Sequence, residues 1–426
     1  MTTVLVIGAG GREHALAWGL GRSPSVDRIL VAPGNAGTAL DPRFENVAVA
    51  VGDIDALVAL SRSESVDLVV VGPEVPLVAG VVDRLEAAGV SAFGPGRAAA
   101  RLEGSKSYCK DFLDRHAIPT ATAAVFDSAG AALAHLDGLA CPPVVKASGL
   151  AAGKGVIVAE THEEAAAAIR LILVDRRFGS AGDLVLIEER LEGAEVSVLA
   201  FCDGDSFRTM PAAQDHKRLL VGDRGPNTGG MGAFVPSPVA DGALIDRVGR
   251  EVIAPTMAGL KSAGSPYKGV LYAGIMLTES GPKVLEFNCR FGDPETQVVV
   301  PLVRGDLAET MQACADGRLE DVDPAWSDDA AVTVVMASQG YPDHSADPVP
   351  IRGLDAAAGL GCTVFHAGTT LCDGEVLATG GRVLAVTAVA PELGAARDLA
   401  YAGVAAIDFR GAQHRADIAR ATAEVG

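Results

Sequence analysis

The sequence is poor in aromatic residues and in positive charge. Only 4% of its 426 residues are aromatic, and 35 Lys and Arg residues stand against 54 Asp and Glu, which gives a formal net charge of -19. Because no global basic field would attract a phosphate backbone, this balance argues against nucleic-acid binding. Anionic small substrates are not excluded, since helix N-termini and local Lys or Arg side chains still bind them.

Paired cysteines and membrane-spanning runs are also missing from the sequence. The seven cysteines, at positions 109, 141, 202, 289, 314, 362 and 372, include no Cys-x-x-Cys pair. They indicate neither a zinc site nor a disulfide framework, and reduced thiols fit best. Residues 1–7 carry no basic region or cleavage site, and no apolar run would span a bilayer. We therefore expect a soluble, cytoplasmic protein with no membrane partner.

Glycine and small aliphatic residues are abundant. The chain contains 50 glycines, and 49% of its residues are hydrophobic, a texture typical of α/β proteins. Its length exceeds what one hydrophobic core supports, so several domains are expected. We predict a doubly wound parallel sheet in residues 1–103, a central domain in 104–325 with a small α+β lid at about 120–192, and an α+β domain in 326–426.

Alternating strand and helix patterns define the first domain, and shorter patterns follow it. Loops 8–13, 32–37 and 72–77 follow predicted strands and should form the functional edge of the first sheet. The predicted strands are residues 4–7, 28–31, 67–71, 90–93, 143–146, 155–159, 184–189, 331–337, 362–366 and 382–387. The predicted helices begin at about residue 13, run over 78–88, open near 102–106, and run over 163–174 and 393–405.

The first glycine loop resembles the start of a dinucleotide fingerprint, because it follows a strand and opens a helix. Glu13 stands at the third glycine position, however, and the next strand offers no carboxylate for a ribose hydroxyl. A loop that holds a single sugar phosphate, with backbone N–H groups and Arg12, survives this objection. Plain turn glycines are the alternative.

Residues 284–295 combine a strand with ligands of the kind that metals use. Alternation places Glu286, Asn288 and Arg290 on one strand face. A carboxylate and an amide oxygen suit Mg²⁺, and a guanidinium neutralises a phosphoryl group bidentately. A solvated edge strand is the alternative interpretation.

Two lysines bracket a glycine-rich loop in the predicted lid. Lys146 lies on a strand and Lys154 in the loop, so both could close over a triphosphate. The loop is not a Walker A motif, because Gly155 and a strand follow Lys154; a solvated hairpin is the alternative. Residues 188–195 form an acidic hinge whose backbone could contact adenine, with Glu195 free for ribose, although such residues are more often merely exposed.

The order of these motifs resembles the ATP-grasp carboxylate-amine ligases. Within that superfamily the chain is similar, over essentially its whole length, to the phosphoribosylamine-glycine ligase family, also called glycinamide ribonucleotide synthetases. Ser148 and Ala213 depart from the family, which usually has Asp and Ser or Thr there. The segments that carry the similarity are 34–38 (GNAGT), 102–106 (LEGSK), 214–218 (QDHKR), 225–232 (GPNTGGMG), 290–297 (RFGDPETQ) and 380–384 (GGRVL).

The resemblance implies a Rossmann-like substrate domain, an ATP-grasp domain and a C-terminal domain. It implies that ATP phosphorylates glycine and that 5-phosphoribosylamine then attacks the glycyl phosphate, giving glycinamide ribonucleotide, ADP and phosphate. Mg²⁺ or Mn²⁺ would assist, and a monomer is expected, with a dimer as the alternative.

The resemblance also implies roles for individual residues. The nucleotide would contact Lys106, Lys146, Lys154, Glu188, Glu189, Leu191 and Glu195. The metal would be held by Glu286 and Asn288. Catalysis would involve Arg290, Lys154 and Asp215. Substrates would contact Gly10, Gly11, Arg12, Asn35, Glu74, Asp215, Asn227, Thr228, Gly229, Gly230 and Arg290.

Three rival functions are compatible with parts of the sequence. Another ATP-grasp ligase or a carboxylase would use a different acid as substrate. A biotin-linked carboxylase would require a partner carrier that this chain lacks. An NAD-binding oxidoreductase follows from the first glycine loop. A nucleotide sensor without turnover is the third, and the intact set at 286, 288 and 290 argues against it.

Overall fold

The computed structural model describes residues 2–151, 153–344 and 347–420. Ala152 of the lysine loop and the last six residues of the predicted third domain therefore lie outside the described residues. The first part of the chain is a five-stranded sheet of order β3-β2-β1-β4-β5, and every strand pair in it is parallel. Its elements are β1 (Thr3–Gly8), α1 (Gly11–Leu20), β2 (Arg28–Pro33), α2 (Ala36–Leu40), β3 (Phe44–Asn46), α3 (Ile54–Ser63), β4 (Leu68–Val71), α4 (Glu74–Ala79), α5 (Val81–Ala87) and β5 (Ser91–Phe93).

A small antiparallel sheet of order β6-β9-β7-β8 forms the lid. Ala-rich helices cover one face of it, and Val145, Ile169 and Ile187 belong to its own small core. Two helices, α6 (Arg97–Gly104) and α7 (Lys106–Arg115), lead into it. The lid consists of β6 (Ala123–Phe126), α8 (Ala129–Leu136), β7 (Val144–Ala147), β8 (Val156–Val158), α9 (His162–Leu173) and β9 (Val185–Glu188).

The central part contains a four-stranded antiparallel sheet of order β11-β10-β16-β17. A register shift lies between Gly274 and Ile275, so Leu285 is an extra residue in β17 just before Glu286. The elements are β10 (Ala194–Asp203), β11 (Phe207–Thr209), β12 (Gln214–Asp215), β13 (Arg218–Leu220), β14 (Arg224–Asn227), β15 (Gly232–Val235), α10 (Gly242–Val248), α11 (Ala254–Ser262), β16 (Lys268–Thr278), β17 (Gly281–Asn288), α12 (Thr296–Val299) and α13 (Leu307–Asp316).

The last part forms a sheet of order β12-β15-β18-β23-β20, beside a three-stranded sheet of order β19-β22-β21. Two strands of the larger sheet, β12 and β15, come from before residue 326, so the sheet crosses the boundary that the sequence suggests. The remaining elements are β18 (Ala330–Ala337), β19 (Val349–Pro350), α14 (Leu354–Gly359), β20 (Thr363–His366), β21 (Thr369–Cys372), β22 (Glu375–Ala378), β23 (Arg382–Ala390) and α15 (Leu393–Ala406).

The first and central parts share one hydrophobic core. Val4 and Val6 of β1 pack in the same buried cluster as Phe201 of β10, Phe291 and Met311 of α13. Burial of such apolar side chains contributes roughly 25 cal/mol per Å² of area removed from water. The shared core holds the loops of the first sheet against the end of β17.

Three helix predictions need correction. The helix predicted from about Glu13 begins at Gly11. The helix predicted over 78–88 is two helices, because Gly80 adopts a left-handed conformation with φ 92°. The segment at 102–106 does not open one helical stretch but joins two helices, since Ser105 ends α6 and caps α7 by accepting a hydrogen bond from the Tyr108 amide.

Candidate active site

A cleft of about 370 Å³ lies between the lid, the end of β17 and the loops of the first sheet. Its walls carry both signs of charge, which suits a charged substrate pair. Charged residues that line it are Arg12, Glu74, Glu103, Lys106, Lys110, Lys146, Glu188, Asp215, Lys217, Glu286, Arg290, Asp293, Glu295 and Arg382.

Arg290 follows the end of β17 and is held by carboxylates from two other parts of the chain. Its Nη2 lies 2.8 Å from Oε1 of Glu103 and donates to Oδ1 of Asn288 at 3.1 Å, while its Nε lies 3.5 Å from Oε2 of Glu74. The Nε atom is buried and makes no hydrogen bond. Burial opposes ionisation, but Glu103 and Glu74 raise the pKa of Arg290. Its Nη1 donates to the Phe291 carbonyl at 3.2 Å, so the guanidinium is fixed and charged.

Glu286 lies within the field of several cations. Burial disfavours its charge, but Lys217, Lys106 and Lys146 hold the pKa of Glu286 below its usual value. Asn288 lies two residues further along the same strand face, as the alternation predicts. Among the described residues no three His, Cys, Asp or Glu side chains are arranged to hold a metal ion. The protein thus offers two hard oxygen donors side by side, and nucleotide phosphates and water would complete such a site.

Lys106 and Lys146 lie together at the lid end of the cleft. Lys146 Nζ is 2.8 Å from Oε2 of Glu188 and also donates to the Leu285 carbonyl at 3.2 Å. Burial lowers the pKa of Lys106. Glu188, which is 3% exposed, has a second counterion in Lys110 at 3.4 Å. The carboxylate of Glu188 therefore serves two buried lysines, and any contact with adenine at this position would come from the neighbouring backbone.

The other predicted nucleotide residues lie outside the lining of the cleft. Lys154 is exposed in the turn before β8, although Gly153 and Gly155 on either side line the cleft. Glu189 is exposed and pairs with Lys283 at 3.1 Å. Leu191 and Glu195 are not among the lining residues either, and Glu195 Oε2 is 3.9 Å from Lys217 Nζ.

Asp215 belongs to a buried polar cluster that lines the same cleft. Lys217 Nζ contacts both carboxylate oxygens of Asp215, at 3.1 and 2.9 Å. Glu295 accepts a hydrogen bond from Ser197 Oγ at 3.0 Å, and Ser197 also contacts the Tyr272 hydroxyl at 2.9 Å. Burial and then the charge of Asp215 raise the pKa of Glu295. Two neighbouring carboxylates with one lysine leave the cluster suited to a further cation.

The glycine tract beside this cluster approaches the end of β17 closely. Thr228 and Gly229 line the cleft, whereas Asn227 and Gly230 do not. A Cβ atom on Gly230 would lie 2.4 Å from Cδ of Pro294, and the residue has a φ of +109°. Gly230 therefore has a packing role, because no other residue fits there without displacing Pro294.

Glu13 explains why the first glycine loop departs from a dinucleotide fingerprint. Its carboxylate accepts hydrogen bonds from the Gly10 amide at 2.6 Å and from Arg12 Nε at 2.6 Å. A Cβ atom on Gly8 would lie 2.2 Å from Glu13 Cγ, and one on Gly72 would lie 2.1 Å from Oε1. The start of α1 thus already carries an internal anion that occupies the Gly10 amide, which disfavours both the dinucleotide interpretation and the binding of a sugar phosphate by that amide. Arg12 itself lines the cleft.

Asn35 has its side-chain hydrogen bonds satisfied within the protein. Its Nδ2 donates to the carbonyls of Ala9 and His366, at 2.9 and 2.7 Å, and its Oδ1 accepts from two amides of α2. Its backbone is satisfied as well, because its N–H donates to Thr38 Oγ1 at 2.8 Å and its carbonyl accepts from Asn46 Nδ2 at 2.9 Å. Asn35 therefore shapes this loop. Asn35 borders a second, open groove between the first and last parts of the chain, lined by Ala9, Gly10, Gly34, Asn35, Asp293, Ala367, Gly368, Thr369, Thr379, Gly380, Gly381 and Arg382.

Several residues of the site were not singled out from sequence. Lys217 and Glu295 fall inside motifs that carry the family resemblance, so those motifs held the available signal. Glu103 likewise lies in the segment 102–106. Arg382 lies in the segment 380–384. Lys110 had no comparable signal, because its role depends on its contact with Glu188 in a distant part of the chain.

Comparison with known families gives matches along the chain. Family models of phosphoribosylglycinamide synthetase match as the N domain over residues 2–103, the ATP-grasp (A) domain over 104–296 and the C domain over 331–421. The phosphoribosylamine–glycine ligase of Ralstonia nicotianae is 50% identical, and the match covers 97% of this chain and 98% of that protein.

Two further relatives extend this result. The trifunctional purine biosynthetic protein adenosine-3 of Gallus gallus is 56% identical over 97% of this chain, and the chain spans 42% of that longer protein. The crystal structure of the phosphoribosylamine–glycine ligase of Thermotoga maritima superposes with a TM-score of 0.84 at 32% identity, covering 98% of this chain and all of that one. In the described part of the chain no helix has the length and apolar character needed to cross a membrane.

Proposed function

The chain belongs to the phosphoribosylglycinamide synthetase family, and from that premise we propose that it joins glycine to 5-phosphoribosylamine at the expense of ATP. The products are glycinamide ribonucleotide, ADP and phosphate. Glycyl phosphate is the intermediate that links the two half-reactions. The observation that carries the proposal is the fixed trio of Glu286, Asn288 and Arg290, which lies in one cleft with Lys106 and Lys146.

ATP lies along the cleft with its phosphates toward β17. Lys106 and Lys146 neutralise phosphate charge, while the backbone at 189–191 contacts adenine and Glu195 the ribose. Arg290, held in place by Glu103 and Glu74, stabilises the phosphoryl group during transfer, and such preorganised charge is usually the largest contribution to catalysis. Lys154 reaches the phosphates only after the loop at 149–155 rearranges, because its side chain is exposed here.

A divalent cation fits beside Glu286 and Asn288. Both donors are hard oxygens, and Lys and Arg side chains keep Glu286 ionised. We assign Mg²⁺ or Mn²⁺ to this position, where it would supply charge neutralisation for the phosphates. Arg290 fixes the orientation of the Asn288 amide, since a guanidinium has only donors and the amide must turn its oxygen toward it.

Glycine lies at the end of the cleft that Asp215 and Glu295 line. Its ammonium group adds a second cation beside Lys217, and its carboxylate then faces Arg290. Thr228 and Gly229 border the same space. Because an acyl phosphate is hydrolysed by water, closing the cleft around this end protects the intermediate.

Phosphoribosylamine approaches from the second groove. Gly10 and Gly34 of the first sheet form one wall, and the turn at 379–381 forms the other. Glycine backbone on both walls lets a sugar phosphate approach the main chain closely. Arg12 and Glu74 border the passage toward Arg290.

One coupled ADP-release assay tests the proposal. We expect ADP release to require glycine, ATP and freshly generated phosphoribosylamine together. A panel with alanine, formate, or bicarbonate plus biotin in place of glycine should give only background. Equal rates with another acid would replace this function with that of another ATP-grasp enzyme. Protection of the fold by NADH in a thermal-shift assay would instead support an oxidoreductase, and bound ADP without phosphate release would indicate a sensor.

Oligomeric state and location stay predictions. A monomer is expected, and sedimentation would distinguish it from a dimer. All seven cysteines are free thiols in the structure, and Cys141 and Cys372 are exposed. A reducing compartment such as the cytoplasm suits exposed free thiols.

A further inference from the structure

Asp293 and Arg382 line both the main cleft and the second groove, and no other described residue does so. Asp293 follows β17 in the turn before α12, and Arg382 begins β23 in the last part of the chain. Arg382 Nη2 lies 2.9 Å from Oδ2 of Asp293, and its Nη1 donates to the Asp293 carbonyl at 2.7 Å. The junction between the two cavities is therefore one oriented ion pair.

The Asp293 carboxylate is fixed but not saturated. Gln297 Nε2 donates to its Oδ1 at 2.8 Å, which leaves each carboxylate oxygen with further acceptor capacity. Its side chain is 18% exposed, so the remaining capacity is reachable from the cavities. Burial disfavours the charge, but Arg382 and Arg12 hold the pKa of Asp293 below its usual value. An ionised acceptor thus faces the point where two substrates would meet.

The other carboxylates of the cleft are placed differently. Glu103 is bonded to Arg290 and to the Cys289 amide, and Glu74 lies next to Arg290. Asp215 is bonded to Lys217, and Glu295 to Ser197. These four line only the main cleft, as do Glu188 and Glu286, so none of the six faces the groove.

We infer that Asp293 is a catalytic residue that receives the amine of phosphoribosylamine and takes up its proton during ligation. The inference rests on the proposed function. The amine nitrogen attacks the carbonyl carbon of glycyl phosphate and a C–N bond forms. The bond between that carbon and the phosphate oxygen breaks, and phosphate leaves with the electron pair. One N–H proton passes to the Asp293 carboxylate. General base catalysis requires that carboxylate to lie within hydrogen-bond reach of the attacking amine.

Hydroxylamine separates this step from formation of the acyl phosphate. It is small and unprotonated at neutral pH, so it reacts with an acyl phosphate without a base and without contacts in the groove. The assay compares Asp293→Asn with the parent chain for ligation of phosphoribosylamine and for formation of glycine hydroxamate, with ribose 5-phosphate filling the groove. We expect ligation to fall about 100-fold, the lower range for loss of a general base, and hydroxamate formation to fall less than about threefold.

Michaelis constants and a control variant complete the test. KM for ATP and for glycine should stay within about twofold of the parent values, because Asp293 contacts neither. Asp55→Asn, at an exposed ion pair with Arg84, should leave both activities and the melting temperature unchanged.

Two outcomes would overturn the inference. One is retention of ligation in Asp293→Asn, and the other is an equal loss of both activities at an unchanged melting temperature. The parent chain reports separately on the proposed function, because absence of ADP release with all three substrates would refute that function whatever the variant does.

Discussion

The end of β17 and the loop at 149–155 face each other across the cleft, but they are held in different ways. Arg290 contacts Glu103, Glu74 and Asn288, which come from three separate elements. The loop is fixed at its ends, where the Gly149 amide donates to Ala181 and Ala147 donates to Gly155, and Lys154 between them is exposed. One wall of the cleft is thus organised before substrate binds, and the other keeps its charge in solvent.

This difference assigns separate tasks to the two walls. A charge that acts on the transition state must be in place beforehand, since reorientation during reaction would cost part of its effect. A charge that admits and then encloses a nucleotide has to move. Substitutions at the end of β17 should therefore change the chemical step, and substitutions in the loop should change nucleotide affinity.

Replacing Arg290 gives the largest expected effect. Arg290→Ala should lower kcat for ADP release by about two decades or more, the scale for loss of one preorganised charge. Because the change also leaves Glu103 buried without its partner, Arg290→Lys serves as a second variant that keeps a charge. Arg304→Ala, at an exposed ion pair with Asp329, is the control. Near-normal turnover of the folded Arg290→Ala variant would refute the role of the β17 end in the chemical step.

Neutralising Glu188 tests whether the lysines are held by charge. Glu188→Gln leaves Lys146 and Lys110 buried without a negative partner, so we expect the free energy of unfolding to fall by about 3 kcal/mol. Urea denaturation measures this loss. Glu189→Gln changes the adjacent exposed residue and should cost less than about 1 kcal/mol. Equal losses in the two variants would contradict the buried arrangement.

Low pH should destabilise a second fixed contact, between His14 in the first part of the chain and His366 in the last part. The His366 amide donates to Nδ1 of His14, and burial lowers the pKa of His14 to about 3 and that of His366 to about 4. Both pKa values lie below 6.5, the ordinary value for histidine, so the unfolded chain takes up these protons before the folded chain does. The stability that the neutral histidines contribute is therefore fully present above pH 6.5 and declines as the pH falls below it. At pH 5 each histidine lowers the free energy of unfolding by about 2 kcal/mol relative to its value at neutral pH.

The histidine prediction is checked by comparing unfolding at pH 7.5 and pH 5. His14→Gln should show a smaller loss of stability between the two pH values than the parent chain does. Asp41 and Arg43 also face His14, with opposite effects on its pKa, and they remain in the variant. An unchanged pH dependence would show that other groups dominate acid unfolding.

The loop lysine gives the smallest expected effect. Lys154→Ala should raise KM for ATP roughly fivefold, equivalent to about 1 kcal/mol for a solvent-accessible charge contact, and leave kcat within about twofold. Lys261→Ala, at an exposed ion pair with Asp205, is the control. A large fall in kcat with KM unchanged would place Lys154 in the chemical step and remove the contrast between the two walls.

Local patterns in the sequence carry most of the fold. Alternating apolar residues predict the parallel strands near 4–7, 28–31, 67–71 and 90–93, and the structure confirms all four. Position within a strand also predicts that Glu286 and Asn288 share a face. The helix boundaries fail at Gly80 and Ser105, because a single residue there ends one helix and begins the next.

Pairing between distant residues is what the sequence does not reveal. Nothing near Glu103 in the chain indicates that it meets Arg290, and nothing near Asn35 indicates His366. The interpretation of Glu188 depends on two lysines that approach it from β7 and α7. Motifs from the family resemblance identify such residues as important without stating which atoms they contact.

The strands β12 and β15 join the central part of the chain to its last part in one sheet, so these two parts depend on each other. A polypeptide cut at residue 325 would lose β18, and the edge of β15, which pairs with it from Gly232 to Val235, would be bare. Asp215 lies on β12, which pairs with β15, so the part of the cleft that Asp215 lines would lose its support together with that sheet. Exchange of the last hundred residues for another module would therefore have to supply a new partner strand for β15.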